Sequence, residues 1–170
     1  MSKLEKARMR KVHQKQIKQM REHRREKGEL MELQIATKKS AVSHKLGIGI
    51  VAKQFEGRIR AKWTLVDRSS QKDIQDEAIA VRLELMKARQ QSWQRIKVIS
   101  ANKQLIALIR DGKGDNPNTA TLIEDIHALA NLFQMCFFEV RNVSNMILCN
   151  QISHYVLNIL MDEEKFFGSS

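Results

Sequence analysis

Apolar residues recur along most of this chain at the three- and four-residue spacing of an amphipathic helix. In the central part this spacing places Ile74, Ala78, Val81, Leu85, Ala88 and Ser92 on one stripe, which then shifts by four residues to Ile96. Such a shift is a stutter, which locally unwinds a coiled-coil seam. The pattern predicts one long helix over about residues 71–110, packed along other helices.

A second and more apolar stripe follows the strongest turn signal in the chain, residues 111–118. Thr121 and Glu124 fit a helix-capping box at its start. The stripe predicts a helix over about 119–161, antiparallel to the first. It is apolar beyond one face, so a third helix, a second copy of the chain or a helical partner is expected to cover it. The residues predicted at that interface are Leu129, Phe133, Phe137, Phe138, Val140, Ile147, Ile152 and Val156.

Residues 43–50 have a different period. Leu46, Ile48 and Ile50 alternate with glycines, which fits either a short strand or a flexible hinge. We favour a hinge, because no other segment offers a strand to pair with. From Val51 the helical period returns and predicts a helix over about 51–66.

Composition supports an all-α fold. One proline and seven glycines in 170 residues are too few for the frequent turns of a β-rich protein. We therefore predict an all-α chain with a basic N-terminal helical arm at 1–42, a hinge at 43–50 and a helical bundle at 51–170. A long antiparallel hairpin forms the bundle, which oligomerisation or a partner completes.

Charge is distributed very unevenly along the chain, whose net charge is +11. Residues 1–70 contain 19 Lys and Arg against 7 Asp and Glu, whereas residues 114–170 contain 2 against 7. This asymmetry indicates an anionic partner for the N-terminal half. Nucleic acid, an acidic protein surface and an anionic membrane are the candidates.

The first helix is predicted over residues 2–27, with an apolar stripe too thin to cover a core. Its cations could neutralise phosphates without regard to base sequence. They could equally dock on an acidic protein, or simply be solvated. The residues proposed to contact nucleic acid are Lys3, Lys6, Arg8, Arg10, Lys11, Lys15, Lys18, Arg21, Arg24, Arg25 and Lys27, together with Arg58, Arg60 and Lys62. Trp63 lies among the last three cations and is interpreted as part of an apolar core stripe.

Catalytic and metal-binding motifs are not evident. Gly47 and Gly49 lack the rest of a phosphate-binding loop. The five histidines show no zinc-ligand spacing, and no nucleophile has a recognisable base. Cys136 and Cys149 are interpreted as small buried side chains in a reducing compartment. The sequence thus predicts no cofactor, no metal and no enzymatic activity, and polar residues in the last apolar segment argue against a membrane span.

These observations lead to two functional hypotheses. The first is a non-catalytic nucleic-acid-associated or nucleoprotein-assembly factor, in which the basic arm contacts RNA or DNA and the apolar C-terminal helix mediates assembly. The alternative is a structural or adaptor subunit whose arm docks on an acidic protein surface. The N-terminus lacks the apolar segment of a secretory signal, so an intracellular location, cytoplasmic or nuclear, is expected.

Overall fold

The computed structural model describes residues 2–27, 29–40, 42–54, 57–114 and 116–167, and these residues form five strands and five α-helices. Side chains are described for these residues except 19–27, 143, 157 and 159–167. In chain order the elements are α1 (Lys3–Lys27), β1 (Leu30–Lys39), β2 (Lys45–Lys53), β3 (Ile59–Arg68), α2 (Asp73–Gln90), β4 (Arg95–Ser100), α3 (Lys103–Asp111), α4 (Pro117–Ala130), β5 (Met135–Val140), a short 3-10 helix (Val143–Asn145) and α5 (Ile147–Phe167).

The strands form one mixed sheet in the order β3-β2-β1-β4-β5. β1, β2 and β3 are antiparallel neighbours, whereas β4 pairs in parallel with both β1 and β5. Parallel neighbours require crossover connections, and helices usually provide them. Here α2 lies between β3 and β4 in the chain, and α3 and α4 lie between β4 and β5.

Helices cover both faces of the sheet. Ile35 and Ile50 belong to the large core shared with α2, α3 and α4, whereas the next residues, Ala36 and Val51, pack with Cys149 of α5. Successive strand residues point to opposite faces, so β1 and β2 are buried on both sides. Gly49 allows this close approach, because a Cβ there would lie 2.6 Å from the Cys149 carbonyl oxygen.

The all-α prediction is wrong, and so is the coiled-coil hairpin. The segment predicted as a hinge, 43–50, contains most of the buried strand β2, and 51–66 continues through β2 into β3. The predicted helix 71–110 is instead α2, β4 and α3, and 119–161 contains α4, β5 and much of α5. A strand buried on both faces reads as a continuous apolar run, which periodicity cannot distinguish from a buried helix.

The turn signal at 111–118 lies at a real chain reversal. Gly112 ends α3 in the left-handed conformation, with φ at 69°. The Asn116 side chain then caps α4 by accepting a hydrogen bond from the Thr119 amide at 2.9 Å, with Pro117 beside it in the first turn. The helix therefore starts before the capping box expected at Thr121. At the other end of the chain, α1 occupies the range where a polar helix was predicted, and its described side chains, residues 3–18, are all exposed.

Candidate functional site

A buried carboxyl group lies where two parallel strands end. β1 and β4 are adjacent and parallel, so their carboxyl ends meet at the same edge of the sheet, which is where open α/β sheets commonly bind ligands. Glu77 of α2 reaches this edge. It accepts hydrogen bonds from the Ser100 hydroxyl at 2.8 Å and from the Thr37 hydroxyl at 2.9 Å. We call Thr37, Glu77 and Ser100 the Glu77 cluster.

Burial dominates the electrostatics of this cluster. It raises the pKa of Glu77 above its ordinary value, while the Ser100 and Thr37 hydroxyls act in the opposite direction and the charges of Asp73 and Asp76 add to the rise. The net effect is a carboxyl group that releases its proton less readily than a carboxyl in water.

The neighbouring acid, Asp76, is also fully engaged. One of its carboxylate oxygens accepts the Ser69 hydroxyl at 2.7 Å, and the other accepts the Ser70 amide at 2.7 Å and the Ser70 hydroxyl at 2.8 Å. These bonds fasten the connection between β3 and α2 to the first turn of that helix. Asp76 therefore orients the helix that carries Glu77.

Metal-binding capacity is limited at this edge. Within the described ranges, no group of three or more His, Cys, Asp or Glu side chains is arranged to hold a metal ion. The nearest partners of Glu77 are neutral hydroxyl groups rather than further carboxylates. The residues present consequently do not fit a divalent cation.

An ion-pair cluster ties β5 to β1 across β4. The Arg141 guanidinium donates to Glu32 at 2.6 Å and to Glu139 at 3.0 Å. The hydrogen bond from Arg141 lowers the pKa of Glu32, although partial burial opposes this effect. This cluster helps to hold β5 and β1 on either side of β4, and β1 and β4 are the strands that carry Thr37 and Ser100 of the Glu77 cluster.

The two cysteines lie on different elements. Cys136 is half-buried on β5 and Cys149 is buried on α5, and both are free thiols. Burial raises the pKa of each thiol to about 12, so both stay protonated near neutral pH. They act as small packing groups and not as nucleophiles.

The predicted nucleic-acid-binding residues fall into two regions. In α1 the side chains of Lys3, Lys6, Arg8, Arg10, Lys11, Lys15 and Lys18 are exposed. The side chains of Arg21, Arg24, Arg25 and Lys27 lie outside the described part of the structure.

The second region is strand β3, at the edge of the sheet. Arg60 and Lys62 are exposed on β3, and Arg58 is exposed just before the strand. Trp63 faces the core instead, where its ring centroid lies 5.8 Å from that of Trp93. Binding by these cations stays a prediction.

The predicted interface residues do not share a helical face. Leu129 is in α4, Phe133 follows it, and Phe137, Phe138 and Val140 are in β5; only Ile147, Ile152 and Val156 are in α5. Phe133 is buried in the core, whereas Phe137 and Ile147 are exposed by 45% and 62%. The helix assumed in the prediction is absent here because β5 interrupts it.

Sequence reasoning missed the Glu77 cluster completely. Its residues are 40 and 23 positions apart in the chain, and only the pairing of β1 with β4 brings them together. The available signal was Ser100, a polar residue directly after the apolar Val98 and Ile99. Recognising it required reading that run as a buried parallel strand.

Comparison with known proteins identifies the fold. Residues 38–152 match the family model described as reverse transcriptase-like. RNase H1 from the halophilic archaeon Halobacterium salinarum is 12% identical, with a TM-score of 0.70 over 76% of this chain and 98% of that one. The N-terminal RNase H domain of rv2228c from Mycobacterium tuberculosis is 13% identical, with a TM-score of 0.70 over 79% and 98%.

A third structure was solved with nucleic acid bound. LC11-RNase H1, from a compost metagenome, in complex with an RNA/DNA hybrid, is 10% identical, with a TM-score of 0.64 over 72% of this chain and 92% of that one. Comparison with curated protein sequences gives no match. The prediction of a nucleic acid as partner agrees with this complex. An acidic protein surface, a homo-oligomer and a helical partner receive no support from these comparisons.

These findings correct the functional predictions. The match to the reverse transcriptase-like family model, together with the RNase H fold, contradicts the non-catalytic assembly factor, the structural adaptor and the expected absence of enzymatic activity. Among the described residues, no helix is long and apolar enough to cross a membrane. The family match extends over residues 38–152, which is more than half of this chain, and the chain therefore belongs to the reverse transcriptase-like family.

Proposed function

We propose that this protein binds RNA/DNA hybrid duplexes and processes nucleic acid with its RNase H fold. The observation that carries the proposal is the likeness to an RNase H1 solved with such a hybrid, which extends over 92% of that chain. The proposal is also supported by the parallel pairing of β1 and β4, because open α/β sheets commonly bind ligands at the carboxyl ends of such strands, where Glu77 lies.

The charge distribution supports a polyanionic ligand. The described side chains of α1 include seven exposed Lys and Arg against one exposed Glu, and Arg60 and Lys62 add exposed charge on β3. Cations at the surface neutralise phosphates and release condensed counterions, which gives affinity without base specificity. Specificity for the hybrid would then come from the shape of its groove and from the 2′-hydroxyls of one strand.

Duplexes of equal length and sequence test this proposal. We expect full-length protein to bind an RNA/DNA hybrid more tightly than double-stranded DNA or double-stranded RNA, as measured by fluorescence anisotropy at several salt concentrations. Binding is measured in a chelator as well as in magnesium, so that affinity is separated from any cation requirement. Equal affinity for all three duplexes would contradict hybrid recognition.

Processing is measured in the same samples. Denaturing gels that report each strand separately should show shortening of the RNA strand in the hybrid, with the RNA of double-stranded RNA left intact. Glu77→Gln is the matched variant, since it keeps the side-chain size and removes the carboxylate. If the Glu77→Gln variant cleaved the RNA as fast as wild type, the cleavage would come from another site in the protein or from a contaminant.

A further inference from the structure

We infer that the Glu77 cluster takes up no divalent cation in the free protein, because the side chains that face Glu77 from β1 and β4 are neutral hydroxyl groups and not carboxylates. The inference concerns the protein without nucleic acid and stands independently of hybrid recognition. It differs from the expectation for the fold class, since nucleases commonly act through pairs of divalent cations held in a shared site.

Both carboxylate oxygens of Glu77 and both of Asp76 accept hydrogen bonds. Glu77 accepts from Ser100 on one oxygen and from Thr37 on the other. Asp76 accepts from Ser69 on one oxygen and from the amide and hydroxyl of Ser70 on the other. These donors hold both carboxylates in place and compete with a cation for their oxygens.

The donor set is also too weakly charged. Mg²⁺ requires near-octahedral oxygen ligands at about 2.0–2.1 Å and is usually held by one or two carboxylates together with substrate phosphates and waters. The Glu77 cluster offers one carboxyl group and two neutral hydroxyls. Among the described residues, Glu77 belongs to no group of three or more His, Cys, Asp or Glu side chains that could hold a metal ion.

Glu77 instead has a structural contact on each side. It is 8% exposed, Ser100 is fully buried, and together with Thr37 they link α2 to β1 and β4. A cation at this edge could be retained only with the phosphates of bound nucleic acid, since phosphate oxygens supply the missing charge. Cation uptake and hybrid binding are therefore separate properties of this protein.

The position of the two hydroxyls makes the inference testable by substitution. Carboxylates at residues 37 and 100 would stand within hydrogen-bonding range of Glu77, and such an acidic cluster is relieved by binding a cation. The test variant is Thr37→Asp with Ser100→Asp in the full chain. The matched control is Thr37→Asn with Ser100→Asn, which has the same side-chain size and no added charge.

The experiment is calorimetric titration with MnCl₂ alone, with no nucleic acid present. We expect no saturable binding to wild type or to the Asn control over the concentrations titrated. The Asp variant should bind saturably, with a dissociation constant at least about tenfold below the highest concentration at which the other two fail to bind, which corresponds to about 1.4 kcal/mol. The thermal midpoint of the Asp variant should also rise with Mn²⁺, because ligand binding to the folded state stabilises it.

Two results would overturn the inference. Saturable Mn²⁺ binding to wild type that Glu77→Gln abolishes would show that the cluster binds a cation despite its hydroxyl donors, and this comparison needs no Asp variant to fold. A folded Asp variant that fails to bind Mn²⁺ would show that the hydroxyls are not the reason. Hybrid affinity in chelator tests the proposed function separately, since it involves no cation.

Discussion

Glu84 is a carboxyl group in the middle of α2, fully buried, with no hydrogen-bond partner for either oxygen among the described residues. Burial raises its pKa well above the ordinary value of 4.5, and the nearby charge of Glu77 adds to the rise. A buried polar group without a partner costs about 1–3 kcal/mol of stability. Glu84 is therefore a destabilising residue in the centre of the core.

Replacing Glu84 should stabilise the protein in a pH-dependent way. Below pH 4.5 the carboxyl is protonated in the folded and unfolded states alike. As the pH rises above that value, the unfolded state releases a proton that the folded state keeps, so wild-type stability falls until the folded pKa is passed. Glu84→Met should raise the free energy of unfolding by about 1–3 kcal/mol, with the gain over wild type growing as the pH rises.

Urea unfolding across this pH range measures the effect. Glu84→Gln is the control, since it removes ionisation while keeping an unpaired polar group. It should flatten the pH dependence but give a smaller gain than the methionine. If the free energy of unfolding changed with pH in the same way for wild type and both variants, Glu84 would not be a buried carboxyl group with a raised pKa.

Gly49 is a second position where one residue decides the packing. An added Cβ would lie 2.6 Å from the Cys149 carbonyl oxygen and 2.9 Å from the Ser153 amide nitrogen, both of which are helix backbone that cannot rotate away. Gly49→Ala should lower the free energy of unfolding by about 1–3 kcal/mol by pushing α5 off the sheet. The control is Thr64→Ala, at the exposed residue that pairs with Gly49 on β3, which should change stability by less than about 0.5 kcal/mol. Equal unfolding midpoints for the two variants would show that α5 does not pack tightly at Gly49.

At the scale of elements, the Arg141 cluster connects the end of β5 to β1. Both side chains of the Arg141–Glu32 pair are less than a third exposed, at 27% and 26%, so solvent screens this pair less than a surface ion pair. Arg141 also continues the ladder, since its backbone amide donates to the Ser100 carbonyl at 3.0 Å. The Arg141 cluster therefore holds β5 against β4, the strand that carries Ser100 of the Glu77 cluster.

Removing this guanidinium should cost stability mainly above the ordinary pKa of the carboxyl. Arg141→Ala is expected to lower the free energy of unfolding by about 1.5–3 kcal/mol near neutral pH. Because Arg141 lowers the pKa of Glu32 below 4.5, this contribution is present above pH 4.5 and is lost as the pH falls through the folded pKa. A double-mutant cycle with Glu32→Gln, measured by urea unfolding near neutral pH and in acid, should give a coupling energy that disappears in acid. A coupling energy near zero both near neutral pH and in acid would show that the Arg141–Glu32 pair does not stabilise the protein.

At the scale of the whole molecule, much of the positive charge lies on an exposed helix, α1, and the core is built on the sheet. The family match begins at residue 38, after α1. α1 is very polar, and its described large apolar side chains are exposed by 37% to 64%: Leu4, Met9, Val12 and Ile17. We propose that this helix adds phosphate contacts to those made by the rest of the fold.

Neutralising α1 should weaken hybrid binding and reduce its salt dependence. The test variant in the full chain is Lys6→Gln with Arg10→Gln and Lys18→Gln. Each lost phosphate contact reduces the slope of log affinity against log salt by about 0.9, so the slope should fall by up to about 2.7. The control with the same charge change is Lys87→Gln with Lys103→Gln and Lys113→Gln, on α2, α3 and the turn after α3. Equal slopes for both variants would remove α1 from the binding surface.

The sequence alone determined local features that depend on neighbouring residues. The turn at 111–118 coincides with the Gly112 and Asn116 caps, the polar helix coincides with α1, and the charge gradient is a property of composition. These features depend on backbone conformation or charge within a few residues.

Only the tertiary structure decided which apolar runs are strands and where the site lies. Leu46, Ile48 and Ile50 alternate with glycines and fit either a strand or a hinge. Only their pairing with β1 and β3, which lie in segments predicted as helices, decides for the strand. The Glu77 cluster depends on a parallel pairing between segments about 65 residues apart, which local periodicity does not encode. The hydroxyls that surround Glu77, and therefore its chemistry, could be identified only after that pairing was known.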